Sequence, residues 1–198
     1  MITKQHSKNL LGLSALSLLL LSSSPLLAQI AVPNHHHRPI VEHPLMQQSQ
    51  IEVVFALDTT GSMSHLIHDA KEKIWSIAST MASAQSAPDI KMGLIAYRDR
   101  GDAYVTRSVA LSNDLDSVYA KLIDFKAGGG GDGPESVNQA LYDAVNSMQW
   151  SSTPHTYKVI FLVGDAPAHM DYQDDVKYPK TIALAKRKGI IINTIQAG

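Results

Sequence analysis

With 198 residues, 44% of them apolar and 18% charged, the chain holds one domain with a real core, or one domain and a leader, but not two. Seventeen Lys and Arg against eighteen Asp and Glu give a formal charge of −1, so there is no basic field for a nucleic-acid backbone. Cysteine is absent, which excludes disulfides, thiolate zinc sites and a cysteine nucleophile; any metal must be held by oxygen or imidazole.

The N-terminal stretch reads as an export leader. Lys4 and Lys8 precede an apolar run from Leu10 to Leu21, followed by Ser22-Ser23-Ser24-Pro25-Leu26-Leu27-Ala28. A positive start, a short leucine core and a small residue after a breaker predict a signal peptide over residues 1–28; an uncleaved anchor is the competing reading. The run is short for a membrane span, which needs about 20 apolar residues. Removing 28 of the 198 residues leaves 170 and takes away two lysines and no acid, so the formal charge falls from −1 to −3. The mature protein is expected to be periplasmic or secreted, with no membrane span after cleavage. Residues 29–49, polar and punctuated by Pro33, Pro39 and Pro44, predict a linker. His35-His36-His37 within it reads as a solvated tether rather than a metal cage. The folded domain is expected over residues 50–198.

Within that domain, strands and helices alternate. Ile51–Leu57 is a nearly continuous apolar run ending at Asp58, the pattern of a strand buried on both faces. Met63, Leu66, Ile67, Ala70, Ile74, Ile77, Ala78 and Met81 lie along one helical stripe. Ile90, Met92, Leu94 and Ala96 predict a second strand, and Tyr104–Val109 a short third. Asn113 or Asp114 caps a helix carrying Leu115, Val118, Leu122 and Phe125. Pro134 suits the first turn of another helix, with Val137, Ala140, Leu141, Ala144 and Val145 as its stripe. Val159–Val163 is a second fully buried strand and ends at Gly164-Asp165. A helix from about Pro179 to Lys188 stops at Gly189, and Ile190–Ile195 is a further buried strand. The fold class is α/β, doubly wound, with a mostly parallel sheet flanked by helices.

In such sheets ligands sit at the carboxyl ends of strands. Each of the two most hydrophobic internal strands ends in an aspartate, Asp58 and Asp165, and an unpaired charge at a core edge is expensive. The loop Asp58-Thr59-Thr60-Gly61-Ser62 adds hydroxyls two and four residues on. This oxygen set suits a hard divalent ion. The plainer reading has Thr60 and Ser62 cap the following helix, with Asp58 near its dipole. A third polar loop, Gly128-Gly129-Gly130-Gly131-Asp132-Gly133-Pro134-Glu135-Ser136, offers glycines for close backbone approach and Asp132 as a further acid.

These residues resemble the von Willebrand factor type A domain, whose metal-ion-dependent adhesion site uses an Asp-x-Ser-x-Ser loop, a Thr from a second loop and an Asp from a third. Asp58, Thr60 and Ser62 match the first loop, with Thr in the middle, and Asp165 in Val163-Gly164-Asp165-Ala166-Pro167 matches the last. The Asp-Thr-Thr-Gly-Ser-Met and Gly-Gly-Gly-Asp-Gly-Pro-Glu loops are similar to the subgroup that includes the domain attached to some alpha-kinases. The resemblance covers about residues 50–198. It implies a non-enzymatic, metal-dependent binding module holding Mg2+, or else Mn2+ or Ca2+, and engaging an unidentified protein ligand through an acidic residue.

Two departures stand out. Asp132 occupies the position of the family's Thr, with Ser136 the nearest hydroxyl; direct ligation by Asp132 would over-neutralise the ion, whereas ligation through water would keep the familiar mode. The family also continues past a strand such as Ile190–Ile195 with a helix, a strand and a closing helix, so either the sequence is truncated or a smaller sheet suffices, with the Ile195 strand as an unprotected edge.

Three other functions compete with this one. A magnesium-dependent phosphatase of the haloacid-dehalogenase type would use Asp58 as nucleophile, but it wants an acid where Thr60 stands, and Asp171 lies six residues beyond Asp165. A nucleotide-binding module is weakly signalled, because the glycine run follows a helix and lacks the phosphate-loop ending. The third is a vestigial fold whose metal site is purely structural. Arg100-Gly101-Asp102 spells an integrin-read tripeptide by chance, His65 and His68 are solvated, His169 is a loop bystander, and Trp75 and Trp150 pack.

Overall fold

The computed structural model describes residues 50–84 and 88–198. The leader, the linker and the histidine triplet lie outside the described residues. Five strands form one sheet: β1 (Gln50–Asp58), β2 (Asp89–Tyr97), β3 (Thr106–Ser112), β4 (Thr156–Gly164) and β5 (Ile190–Gln196), in the order β3-β2-β1-β4-β5. β1 pairs in parallel with both β2 and β4, β5 pairs in parallel with β4, and only β3 runs antiparallel, against β2. The helices are α1 (Ile67–Ala82), α2 (Leu115–Asp124), α3 (Val137–Asn146) and α4 (Tyr178–Arg187).

The unbroken apolar run of β1 follows from this layering. Val53, Phe55 and Leu57 face α1 and α2, packing with Ile74, Ala78, Val118 and Leu122. Val54 and Ala56 face the other way, against Ala140, Leu141, Ala144 and Ala185 of α3 and α4. A strand covered on both faces has no use for polar alternation. Phe55 also stacks on Phe161 of β4, with ring centroids 5.3 Å apart. Burying one such side chain is worth about 1.5–3 kcal/mol, so these two layers hold the sheet.

Some boundaries differ from those the sequence predicts. The stripe predicted from Met63 begins as a 3-10 turn at Gly61–His65, and the α-helix starts only at Ile67. The helix expected from Pro134 starts at Val137: Ser136 has non-helical backbone (φ −75°, ψ 44°), and Glu135 is held in a parallel bridge with Ala168, its N donating to Pro167 O at 2.8 Å. Asp114 is the cap of α2, its carboxylate accepting from Ser117 N. β3 is shifted towards the C-terminus, to Thr106–Ser112, with a bulge opposite Gly93. A Cβ at Gly93 would stand 3.1 Å from Val109 O, so the bulge and the glycine belong together.

β1 is where the strand order reverses: the chain leaves it for β2 on one side and later returns to β4 on the other. Leu57 pairs with Val163, which sets Asp58 beside Gly164 and Asp165 at the carboxyl edge of the sheet. This is the crevice in which open α/β sheets bind ligands.

Candidate metal centre

Asp58 is fully buried, and its Oδ1 accepts two hydrogen bonds from Thr60, one from N at 2.8 Å and one from Oγ1 at 2.7 Å. Thr60 Oγ1 lies 3.0 Å from Ser62 Oγ, and Ser62 Oγ donates to Asp165 Oδ1 at 3.0 Å. Neither hydroxyl caps a helix: no side-chain cap bond is made at Thr60 or at the start of α1. The first loop's oxygens instead face one another, in a line from buried Asp58 to exposed Ser62.

With both carboxylates ionised, the three contacts share only the two hydroxyl hydrogens of Thr60 and Ser62. One contact therefore brings lone pairs together. In addition, Asp58 Oδ2 is buried without any hydrogen-bond partner, an arrangement that ordinarily costs about 1–3 kcal/mol. Burial pushes the Asp58 carboxyl above its ordinary range, the two Thr60 bonds oppose the shift, and the charge of Asp165 adds to it. A divalent cation answers both defects. The oxygen separations of 2.7–3.0 Å are ordinary hydrogen-bond lengths, so these oxygens already lie close enough together to share one ion.

Backbone glycines make the approach possible. A Cβ on Gly164 would lie 3.0 Å from Asp58 Cβ, 3.1 Å from Asp58 Oδ2 and 2.4 Å from Tyr97 Oη. Gly129 and Gly130 have φ of 77° and 79°, and the loop docks on the first through Gly128 N to Thr59 O and Gly61 N to Gly129 O, each 3.0 Å. A cleft of about 350 Å3 opens beside Asp165, lined also by Tyr97, Gly164, Pro167, Thr194 and Gln196.

The structure thus brings Asp58, Thr60, Ser62 and Asp165 into one line. Asp132 and Ser136 go elsewhere. Ser136 Oγ donates to Asp99 Oδ1 at 2.9 Å, and Asp132 Oδ1 lies 3.4 Å from His169 Nε2. Among the described residues, the three-residue group with acid or imidazole ligand atoms all within 4.8 Å is Asp99, Asp132 and His169, so Asp132 is not gathered with Asp58 and Asp165.

Sequence reasoning passed over Asp99 and Glu135. Asp99 lies two residues past the end of β2, so the strand-end rule that found Asp58 and Asp165 applies to it as well. Glu135 is buried, with Oε2 unpartnered, and its carboxyl is pushed up to about 7 by burial and then by the charges of Asp58, Asp99 and Asp102, with the Thr60 hydroxyl opposing. Its backbone also ties the glycine loop to the β4 loop, accepting from His169 N at 3.1 Å.

The remaining motifs settle into structure. Asp102 Oδ2 accepts from Asp99 N and Gly130 N, and Arg100 pairs with Asp174 and Asp175 while lying over the Tyr172 ring, so both charged members of Arg100-Gly101-Asp102 are engaged within the domain. Trp75 packs on Tyr119 at 4.3 Å, and Trp150 Nε1 donates to Ala144 O. Among the described residues no helix is long and apolar enough to cross a membrane.

Comparison with known proteins agrees with this fold. The family model described as von Willebrand factor A domain matches residues 52–198. Alpha-protein kinase vwkA of Dictyostelium discoideum is 31% identical over 120 residues, 60% of this chain and 19% of that protein. A putative ariadne-like RING finger protein of Acanthamoeba polyphaga mimivirus is 24% identical over 122 residues, 62% of this chain and 12% of its own length. This chain therefore spans less than a fifth of either relative. Among solved structures, the conserved hypothetical protein BatB from Bacteroides thetaiotaomicron has the same fold, with a TM-score of 0.57 and 18% identity over 74% of this chain and 66% of that one.

Proposed function

This chain belongs to the von Willebrand factor A domain family, and we propose that it is a non-catalytic, metal-dependent protein-binding module whose ion is held by Asp58, Thr60, Ser62 and Asp165. Domains of this family commonly mediate metal-dependent protein binding. One observation carries the reading for this chain: with both carboxylates ionised, three oxygen–oxygen contacts between Asp58 and Asp165 share two hydrogens, beside a buried and unpartnered Asp58 Oδ2.

All four donors are oxygens, two charged and two neutral, which favours Mg2+ over softer ions, with Mn2+ and Ca2+ next. Two carboxylates balance the charge of a dipositive ion without reversing it. The bound ion would offer an open coordination position, which an acidic side chain of the partner completes. Thr60 and Ser62 orient the carboxylates, and the glycine loop holds Thr59 and Gly61 in place. The predicted leader, residues 1–28, supports action in the periplasm or outside the cell.

Calorimetric titration of Mg2+, Mn2+ and Ca2+ into the wild type and Asp58→Ala tests the ion. Heat is expected in the wild type alone, and equal heats in both would remove the metal. Pull-down from an extracytoplasmic fraction, with and without chelator, tests the partner: capture should be chelator-sensitive and lost in Asp165→Ala. A magnesium- and Asp58-dependent rate of phosphoester hydrolysis would overturn the non-catalytic reading.

A further inference from the structure

We propose that Asp99, Asp132 and His169 form a second cation site, separate from the Asp58–Asp165 line, that takes a borderline transition ion of the zinc class. The three residues come from three loops at the same edge of the sheet: after β2, within the glycine loop and after β4. Their ligand atoms all lie within 4.8 Å of one another.

His169 is the observation that lifts this group above an acidic cluster. Its side chain is only 3% exposed, and Nε2 is buried with no hydrogen-bond partner. That nitrogen points between Asp99 Oδ2 and Asp132 Oδ1, at 3.4 Å from each. These separations are long for a charge-assisted hydrogen bond, which runs to about 2.7–2.9 Å. They match the edge of a tetrahedron whose metal–nitrogen and metal–oxygen bonds are about 2.0–2.1 Å, an edge of roughly 3.3–3.4 Å.

The surroundings fit the same assignment. His169 Nδ1 is bonded to Asp171 Oδ1 at 2.7 Å, so when the ring donates there, the lone pair is left on Nε2. The ring is fixed by stacking on Tyr172, with centroids 4.0 Å apart and planes 15° apart. Asp99 is oriented in turn by Ser136 Oγ at 2.9 Å and by the Tyr172 hydroxyl, 3.1 and 2.9 Å from its two oxygens. Asp132 is the exposed member, with its side chain 59% accessible, so the site has an open side. One imidazole and two carboxylates select against magnesium, which prefers oxygen alone, and favour zinc, cobalt or nickel. Placing Asp132 here also leaves the Asp58 centre with two carboxylates rather than three.

The test uses the full chain with His35, His36 and His37 replaced by alanine, so that the histidine triplet does not take the probe. Zn2+ is titrated calorimetrically in the presence of Mg2+, and Co2+ is followed by its visible d–d absorption. One ion should bind. His169→Gln and the exposed Asp132→Asn should each weaken it at least tenfold and remove the Co2+ bands, and Asp171→Asn should weaken it roughly ten- to hundred-fold. Asp58→Asn should leave Zn2+ affinity unchanged, which separates this site from the magnesium reading. Absence of binding, binding indifferent to both Asp132→Asn and His169→Gln, or binding lost with Asp58→Asn overturns the proposal.

Discussion

Replacing Asp58 with asparagine should raise the stability of the metal-free protein while abolishing its response to Mg2+. Oδ1 of Asp58 accepts both Thr60 bonds, and an amide oxygen in its place keeps them. Oδ2 is the atom with no partner, and it carries charge in a fully buried position. An amide NH2 there removes the buried charge, which the neighbouring charge of Asp165 also disfavours. Relief of a buried unsatisfied acceptor is worth about 1–3 kcal/mol. For a domain of this size that corresponds to roughly 2–12 °C in Tm. Magnesium at a thousand times its Kd would add about 4 kcal/mol to the wild type and nothing to the variant, so the order of stabilities reverses. Thermal unfolding followed by circular dichroism, in chelator and then in Mg2+, reads both effects. A variant less stable than wild type in chelator, with its Mg2+ response intact, would refute the reasoning.

Three further outcomes follow from contacts described above. Gly164→Ala places a Cβ 2.4 Å from Tyr97 Oη and should cost about 1–3 kcal/mol in urea unfolding; adding Tyr97→Phe, which deletes the opposing oxygen, should recover part of that loss. Glu135 has an ordinary carboxyl value of 4.5 when unfolded and about 7 when folded, raised by burial and by Asp58, Asp99 and Asp102 against the Thr60 hydroxyl. Its contribution to metal-free stability is therefore full below about pH 4.5 and is lost as pH rises to about 7, and stability measured in chelator should show Glu135→Gln without this decline. Lys71, buried and donating to Ile123 O at 3.0 Å and Phe125 O at 2.9 Å, closes the end of α2; Lys71→Met leaves both carbonyls unpaired and should lower the urea midpoint by the equivalent of about 1–3 kcal/mol.

The layering was legible in the sequence because buried strands and amphipathic helices each leave a strong periodic mark. β1 and β4 read as unbroken apolar runs since both their faces are covered, and the stripe from Ile67 to Ala78 is the inner face of α1. β3 was legible only in outline: it lies at the sheet edge and is largely uncovered, so its side chains need not alternate. The start of α3 was hidden for a different reason. Pro134 favours a first turn, but the bridge between Glu135 and Ala168 holds the chain extended there, a contact across loops that no local pattern announces. The same limit governs the site. Asp58, Thr60 and Ser62 are neighbours in sequence, and Asp165 follows from its strand end. The partition that sends Asp132 and Ser136 towards Asp99 and His169 depends on how the glycine loop folds back, with φ of 77° and 79° at Gly129 and Gly130. His169 looked like a bystander because its two neighbours across space, Asp99 and Asp132, are far from it in the chain.

The central position of β1 has a dynamic consequence. Its amides are bonded to β2 on one edge and β4 on the other, so neither edge of β1 is free to fray. Hydrogen exchange at Val53–Leu57 then reports opening of the whole sheet rather than local breathing. A ligand gripping the end of that strand slows exchange in the interior of the protein, far from any atom it touches, because it taxes every excursion in which the strands separate.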